Sequence, residues 1–276
     1  MNTKYTIRPN SVEETLIIPL FARLIAEERL PHLKGKRNTL EMVDSLDYDF
    51  ASKRKKMSGV AGLYGALEVV QREYDLCYEV KRYLDNHPKA SVVNLGCGLL
   101  DLFVEIDNGE CSCYNIDFPS VIEVRNHIMP PKEREKNLGY DLNDYLWMDQ
   151  IQADNGVIFV ASGVFYYFQR DAAIRLFKEL SSRFPNSSLA FDTCNKKGLK
   201  MMLRTWIKEA GIKDVGTYFG LNDPIKELNA AGVPSQGISV KSYMHGYRKL
   251  KYRLVHKLFN VLMDKIVKAR IVRIDF

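Results

Sequence analysis

Metal-ligand pairs, membrane spans and secretion signals are all missing from this sequence. Its five cysteines (Cys77, Cys97, Cys111, Cys113 and Cys194) form no C-x-x-C pair, and its five histidines show no H-x-x-x-H spacing. A zinc site needs such paired ligands, so no metal is expected and the thiols read as reduced core residues. No apolar run approaches the roughly 20 residues that cross a bilayer. GVIFVASGVFYYF, one of the longest, is the length of a strand and a turn. The opening MNTKYTIRPNSVEET has no apolar core of signal-peptide length, which points to a cytoplasmic protein without a membrane partner. Gly/Ser-rich linkers, internal repeats and low-complexity tracts are absent too.

Charge is present but uneven. The formal net charge is +6, and between Lys241 and Phe276 there are ten Lys or Arg against two Asp. A basic tail can serve nucleic acid. Here Leu250, Leu254, Leu258, Leu262 and Ile266 recur every four residues, the pattern of an amphipathic helix with a solvated basic face. No Asn/Asp-Pro-Pro-Tyr string of the kind that clamps a base follows GVIFVA. A nucleic-acid partner is disfavoured on both grounds.

Residues 15–28, 40–46 and 63–84 carry apolar positions at helical spacing, and the last segment stops at Asn86-His87-Pro88. From Ala90 strands and helices alternate. Ser91–Leu95, Ser112–Ile116, Asn137–Tyr140, Gly156–Ala161, Ser188–Asp192, Val215–Phe219 and Arg270–Phe276 read as strands. Pro119–Ile128, Asp171–Arg183 and Met201–Ala210 read as helices. Such alternation builds a parallel sheet covered on both faces. The expected architecture is α/β: a Rossmann-like, doubly wound, seven-stranded, mostly parallel sheet in residues 89–276, with residues 1–88 as an N-terminal helical cap.

The most informative string runs from Ala90 to Pro119. The first strand breaks into Gly96-Cys97-Gly98, and Asp117 ends the second strand 21 residues after Gly96. Glycines at a strand end let a ligand approach the main chain, and an acid at the next strand tip is placed to accept hydrogen bonds from both ribose hydroxyls. The third glycine of a G-x-G-x-x-G is missing, because Asp101 and Leu102 follow Leu100. A dinucleotide pyrophosphate fits that poorly, whereas S-adenosylmethionine has a ribose and an adenine but no phosphate.

VVNLGCGL, the acidic-proline string IDFPSVIEVR and YDLNDYLW together resemble the class I S-adenosylmethionine-dependent methyltransferases. Within that class they resemble the branch of the leucine carboxyl methyltransferases and the tetracenomycin-type polyketide O-methyltransferases. The likeness continues in Leu20-Phe21-Ala22-Arg23, LDYDF and Arg72-Glu-Tyr-Asp75 upstream, and in VASGVFYYF, RFPNSSLAFD and the tyrosine-rich tail downstream. It implies roles. Arg72 would meet the methionine carboxylate of the cofactor, and Gly96, Cys97 and Gly98 would pass beneath its methionine portion. Asp117 would hold the ribose, with Phe118 against the adenine. Asp141 and Leu142 would contact the adenine amino group, and Ser162 and Gly163 would face the methyl-transfer site.

The resemblance thus implies an O-methyltransferase with a small-molecule acceptor and S-adenosylhomocysteine as product. Methyl transfer from a sulfonium is an in-line displacement, so the protein chiefly aligns the acceptor and excludes water. A carboxylate acceptor is already ionised at neutral pH, whereas a phenol, of ordinary pKa near 10, gains from a base. No His-carboxylate pair stands beside a strand end, which favours a carboxylate or an acidic phenol. Tyr166, Tyr167 and Arg23 are the candidates for the acceptor side. Two departures from the family pattern stand out: Leu100-Asp101-Leu102 in place of the usual D-T-R, and Ser162-Gly163 in place of Glu-Gly. They set two alternatives beside the enzyme reading: a cofactor-binding protein without catalysis and, disfavoured above, an RNA methyltransferase.

Overall fold

Seven segments assemble into one sheet in the computed structural model, which describes residues 4–8, 11–31, 35, 38–51, 60–202, 216–243 and 254–276. They are β1 (Ser91–Leu95), β2 (Ser112–Asp117), β3 (Glu135–Gly139), β4 (Val157–Ala161), β5 (Ser188–Thr193), β6 (Gly237–Ser242) and β7 (Arg270–Asp275). Their spatial order is β3-β2-β1-β4-β5-β7-β6. The first five run parallel, and β7 lies antiparallel to both β5 and β6. The winding reverses between β1 and β4, which opens a crevice at the carboxyl ends of the strands, where open α/β sheets bind ligands.

β1 and β4 are buried at every position, as coverage on two faces demands. Val93, Leu95, Phe159 and Ala161 enter one core, and Val92, Ile158 and Val160 the other. The main helices are α1 (Val12–Arg29), α2 (Val60–Leu84), α3 (Pro119–Ile128), α4 (Arg170–Arg183) and α5 (Leu254–Val267). Pro119 opens α3 at its first turn, where a missing N–H is harmless. The long helix α2 works on two sides. Leu76, Cys77, Val80 and Tyr83 pack with the sheet, while Ala66, Leu67 and Val70 pack with Leu20, Phe21 and Ile25 of α1 and with Val121 and Val124 of α3.

Two expectations are corrected. Residues 216–219 form no strand; the sixth strand is Gly237–Ser242, paired along β7 from Gly237 opposite Asp275 to Ser242 opposite Arg270. Phe219 is apolar because it plugs the core from an irregular segment. GISVKS, half-buried at the sheet edge, needs only one partner and so carries a faint pattern. In α5, Leu258, Leu262 and Ile266 are exposed, not buried. The side chains of Leu250 and Leu254, and the expected helix beyond Met202, lie outside the described residues. All five cysteines are free and buried. No helix among the described residues is long and apolar enough to cross a membrane.

Candidate active site

The turn after β1 is held open by left-handed backbone. Gly96 has φ +58°, and a Cβ there would lie 2.6 Å from a Val164 methyl, so no larger residue fits. Cys97 donates its N–H to the Ile116 carbonyl at 3.0 Å, tying the turn to the end of β2. Burial pushes the Cys97 thiol up to about 12, which makes it neutral and unreactive. Beyond the turn, Asp101 Oδ1 accepts the Val104 N–H at 3.4 Å; the acid displaced from its usual place caps a local turn while Leu100 lines the cavity.

Asp117 closes the other side. Its Oδ2 accepts the Gly98 N–H and its Oδ1 the Phe118 N–H, both at 2.8 Å. Each oxygen keeps a further lone pair for another donor. Burial pushes the carboxyl above the ordinary aspartate range, opposed by those two N–H groups and by Arg125. Asp141 Oδ1 is engaged by the backbone and side-chain nitrogens of Asn143 at 2.9 Å, which rigidifies the turn beyond β3.

Arg125 is the support that sequence reasoning missed. It is 2 % exposed and donates through Nη1 to the carbonyls of Gly98 (3.0 Å) and Leu100 (2.9 Å), and through Nε to Asn137 Oδ1 (3.2 Å). Buried Asn94 and Asn115 and half-buried Asn137 continue this as a ladder across β1, β2 and β3, with links of 3.0 Å. The signal was present: Arg125 lies four residues after Val121 and beside Val124, in phase with the buried face of α3.

On the opposite rim, Arg72 projects from α2. Its Nη1 stands 3.2 Å from Asp192 Oδ2, and its Nε is buried without a hydrogen-bond partner among the described residues. Gly163, at φ +72°, lies directly against it: a Cβ there would meet the guanidinium at 2.9 to 3.1 Å. Ser162, Gly163 and Val164 line the same cavity as Arg72.

The three acceptor-side candidates part company. Tyr167 lines the cavity and is 39 % exposed, and an ordinary phenol of pKa about 10 already holds its proton at neutral pH. Tyr166 is 5 % exposed, lies outside the cavity lining and aims its hydroxyl at that of Tyr243, 3.4 Å away. That placement corrects its expected position, for the short helix Phe165–Tyr167 turns neighbouring side chains in different directions. Arg23 touches the cavity, yet it is 2 % exposed, paired with Glu73 at 3.1 Å and donating to the Leu99 carbonyl at 2.8 Å. It braces the glycine turn.

One cavity of about 520 Å³ joins these parts. It is lined by the Gly96–Leu100 turn, Asp117, Phe118, Asp141, Leu142 and Arg72, and by Leu16 and Pro19 of α1 with Val164, Tyr167 and Phe168; Val164 packs against Gly96 and Leu16 against Gly98. The sheet order, the glycine turn and an acid at the tip of β2 define a class I methyltransferase. A family model described as leucine carboxyl methyltransferase matches residues 33–181. The chain belongs to that family and is an S-adenosylmethionine-dependent methyltransferase. It is 26% identical over 188 residues to the tetracenomycin polyketide synthesis O-methyltransferase TcmP of Streptomyces glaucescens, covering 68% of this chain and 67% of that one. Its fold is similar to that of a candidate methyltransferase of Thermobifida fusca YX (TM-score 0.61, 13% identity, 94% of each chain). It is also similar to a DUF574 family protein of Streptomyces avermitilis (TM-score 0.58, 10% identity, 92% of this chain and 96% of that one).

The residues present fit the cofactor. Asp117 keeps acceptor capacity for a ribose, Arg72 keeps a buried unpartnered donor, and the Gly96–Leu100 turn lines the same cavity.

Proposed function

We propose that this chain methylates an acidic oxygen, a carboxylate or an acidic phenol, on a small apolar acceptor of the polyketide kind, as the name of its Streptomyces glaucescens relative suggests. The observation that carries the reading is one cavity whose lining combines groups suited to the nucleoside and amino-acid parts of the cofactor, Asp117, the Gly96 turn and Arg72, with the apolar side chains of Leu16, Pro19, Val164 and Phe168. When bound, S-adenosylmethionine supplies a methyl group on a sulfonium, an electrophile with a good leaving group. Asp117 would hold the ribose and Arg72 the carboxylate, the latter through the guanidinium's parallel donors. Phe118 would lie against the adenine, with Asp141 and Leu142 beside it.

The apolar lining residues Leu16, Pro19, Val164 and Phe168 would exclude water from the reacting oxygen, which raises the nucleophilicity of an anion that would otherwise be hydrated. Tyr167, protonated at neutral pH, can orient an acceptor oxygen as a donor but cannot deprotonate it. Arg23 and Arg72 already face carboxylates, which leaves the acceptor wall without an uncommitted guanidinium among the described residues. The acceptor therefore brings its own acidity and is selected by shape.

Isothermal titration with S-adenosylmethionine and S-adenosylhomocysteine, with NAD as control, tests the cofactor residues. Micromolar binding of the first two and none of NAD is expected. A screen of aromatic carboxylic acids against phenols of graded acidity tests the acceptor class. Turnover that does not follow acceptor ionisation, or that requires a basic side chain, would overturn this reading.

A further inference from the structure

We infer that Asp192 is a positioning residue for Arg72: it fixes one edge of the guanidinium so that the other stays presented to the carboxylate of the cofactor. The inference rests on the reading of Arg72 given above. Asp192 ends β5, is 2 % exposed and gathers donors from three separate segments. Its Oδ1 accepts the Gly163 N–H at 2.6 Å, and its Oδ2 receives Arg72 Nη1 at 3.2 Å and the Tyr243 hydroxyl at 3.0 Å. Tyr243, just past β6, is itself 4 % exposed and backed by Tyr166. The carboxylate is thus clamped by the loop after β4 on one oxygen and by Arg72 of α2 and Tyr243, just past β6, on the other. A charge so fully held has one orientation to offer Arg72.

Removing that charge has a definite direction, because Arg72 has another carboxyl within reach. Glu68 stands one helical turn earlier on α2 and interacts electrostatically with Arg72. Its carboxyl accepts the Tyr64 hydroxyl at 2.9 Å, and burial pushes it up to about 7. Without Asp192, a buried guanidinium draws Glu68 into its ionised form and turns toward it, away from the Gly163 turn. Loss of the carboxylate therefore weakens cofactor binding, contrary to the simple picture in which an unpaired arginine attracts the cofactor's carboxylate more strongly.

The test compares two ligands that share the adenine, ribose and thioether: S-adenosylhomocysteine, and 5′-methylthioadenosine, which lacks the amino-acid end. Calorimetric titrations of the wild type and of D192N, Y243F, R72A and R72A/D192N are compared. D192N should weaken S-adenosylhomocysteine at least tenfold and leave methylthioadenosine within twofold. Y243F should shift the first ligand about threefold in the same direction. In the R72A background D192N should cost nothing further, since Asp192 acts through the arginine. Unchanged S-adenosylhomocysteine binding in D192N, or equal losses for both ligands, would overturn the inference. If D192N does not fold, the ligand-selective loss in Y243F carries the test, and equal losses there overturn it. A wild-type chain that binds neither ligand would sink the cofactor reading itself, whereas wild-type binding that R72A leaves intact would sink only the role of Arg72.

Discussion

Two sets of residues line the cavity, and they are built from different interactions. One is a lattice of backbone and charge: Gly98, Phe118, Leu100 and Gly163 are each fixed by Asp117, Arg125 or Asp192. The other is a set of apolar side chains, Leu16, Pro19, Val164 and Phe168, drawn from α1 and the segment before α4. Hydrogen-bonded sites discriminate steeply, because a mismatched ligand leaves buried donors and acceptors unpaired, whereas apolar walls discriminate by a factor of about 10 to 200 per methylene. Hydrogen-bonded lining of this kind suits a single ligand, and apolar lining suits a class of them. Substitutions should show that contrast.

The largest effect is expected at Arg125. R125M strands the carbonyls of Gly98 and Leu100 and Asn137 Oδ1, and charge-assisted bonds of about 1.5–3 kcal/mol each are lost. Urea unfolding should show stability lower by about 4.5 kcal/mol or more, with S-adenosylhomocysteine binding abolished. R125K should not restore either, since one ammonium cannot reproduce the fork.

Next comes G96A, which combines left-handed strain of about 1–2 kcal/mol with the clash against Val164. Cofactor affinity should fall about 100-fold. G96A/V164A should recover roughly tenfold of it, separating clash from strain.

D117A should weaken S-adenosylmethionine at least tenfold by calorimetry, through loss of two charge-assisted hydrogen bonds. Ribose binding needs the ionised carboxylate, and burial raises its pKa above the ordinary aspartate value of about 3.9. The free protein therefore takes up this proton at a higher pH than an exposed aspartate does. Affinity should decline on acidification from that higher point, by up to tenfold per pH unit, and D117N should abolish the dependence. A decline that persists in D117N assigns the titration to another group.

The smallest effect is expected at the apolar wall. P19A trims the α1 surface that faces the cavity, and it should raise acceptor KM by about threefold while leaving the S-adenosylhomocysteine Kd unchanged. A comparable loss for acceptor and cofactor would erase the distinction between the two sets.

Much of the fold was legible locally. The strand SVVNL and the helix PSVIEVRNHI occupy the expected residues, because periodicity and a proline at a first helical turn are written within one short window. The spacing from Gly96 to Asp117 likewise placed both groups at one sheet edge, since parallel strands joined by short segments keep their carboxyl ends together. The exposed apolar stripe of α5 shows the limit. A four-residue repeat fixes which side chains share a helix face, but the repeat is silent on what, if anything, covers it.

The sequence by itself therefore determined the order of strands and helices through the fifth strand, the glycine turn, the acid beside it and, through their combination, the family. Only the tertiary structure decided that Tyr167 enters the cavity while Tyr166 leaves it, that Arg23 braces a loop, and that Arg125 carries the turn from below. It also decided that Arg72 meets Asp192, 120 residues away in the chain. The physical reason is range: turns and helix faces are set by neighbours within a few residues, whereas a buried charge finds its partner wherever folding brings a complementary group to the same low-dielectric place.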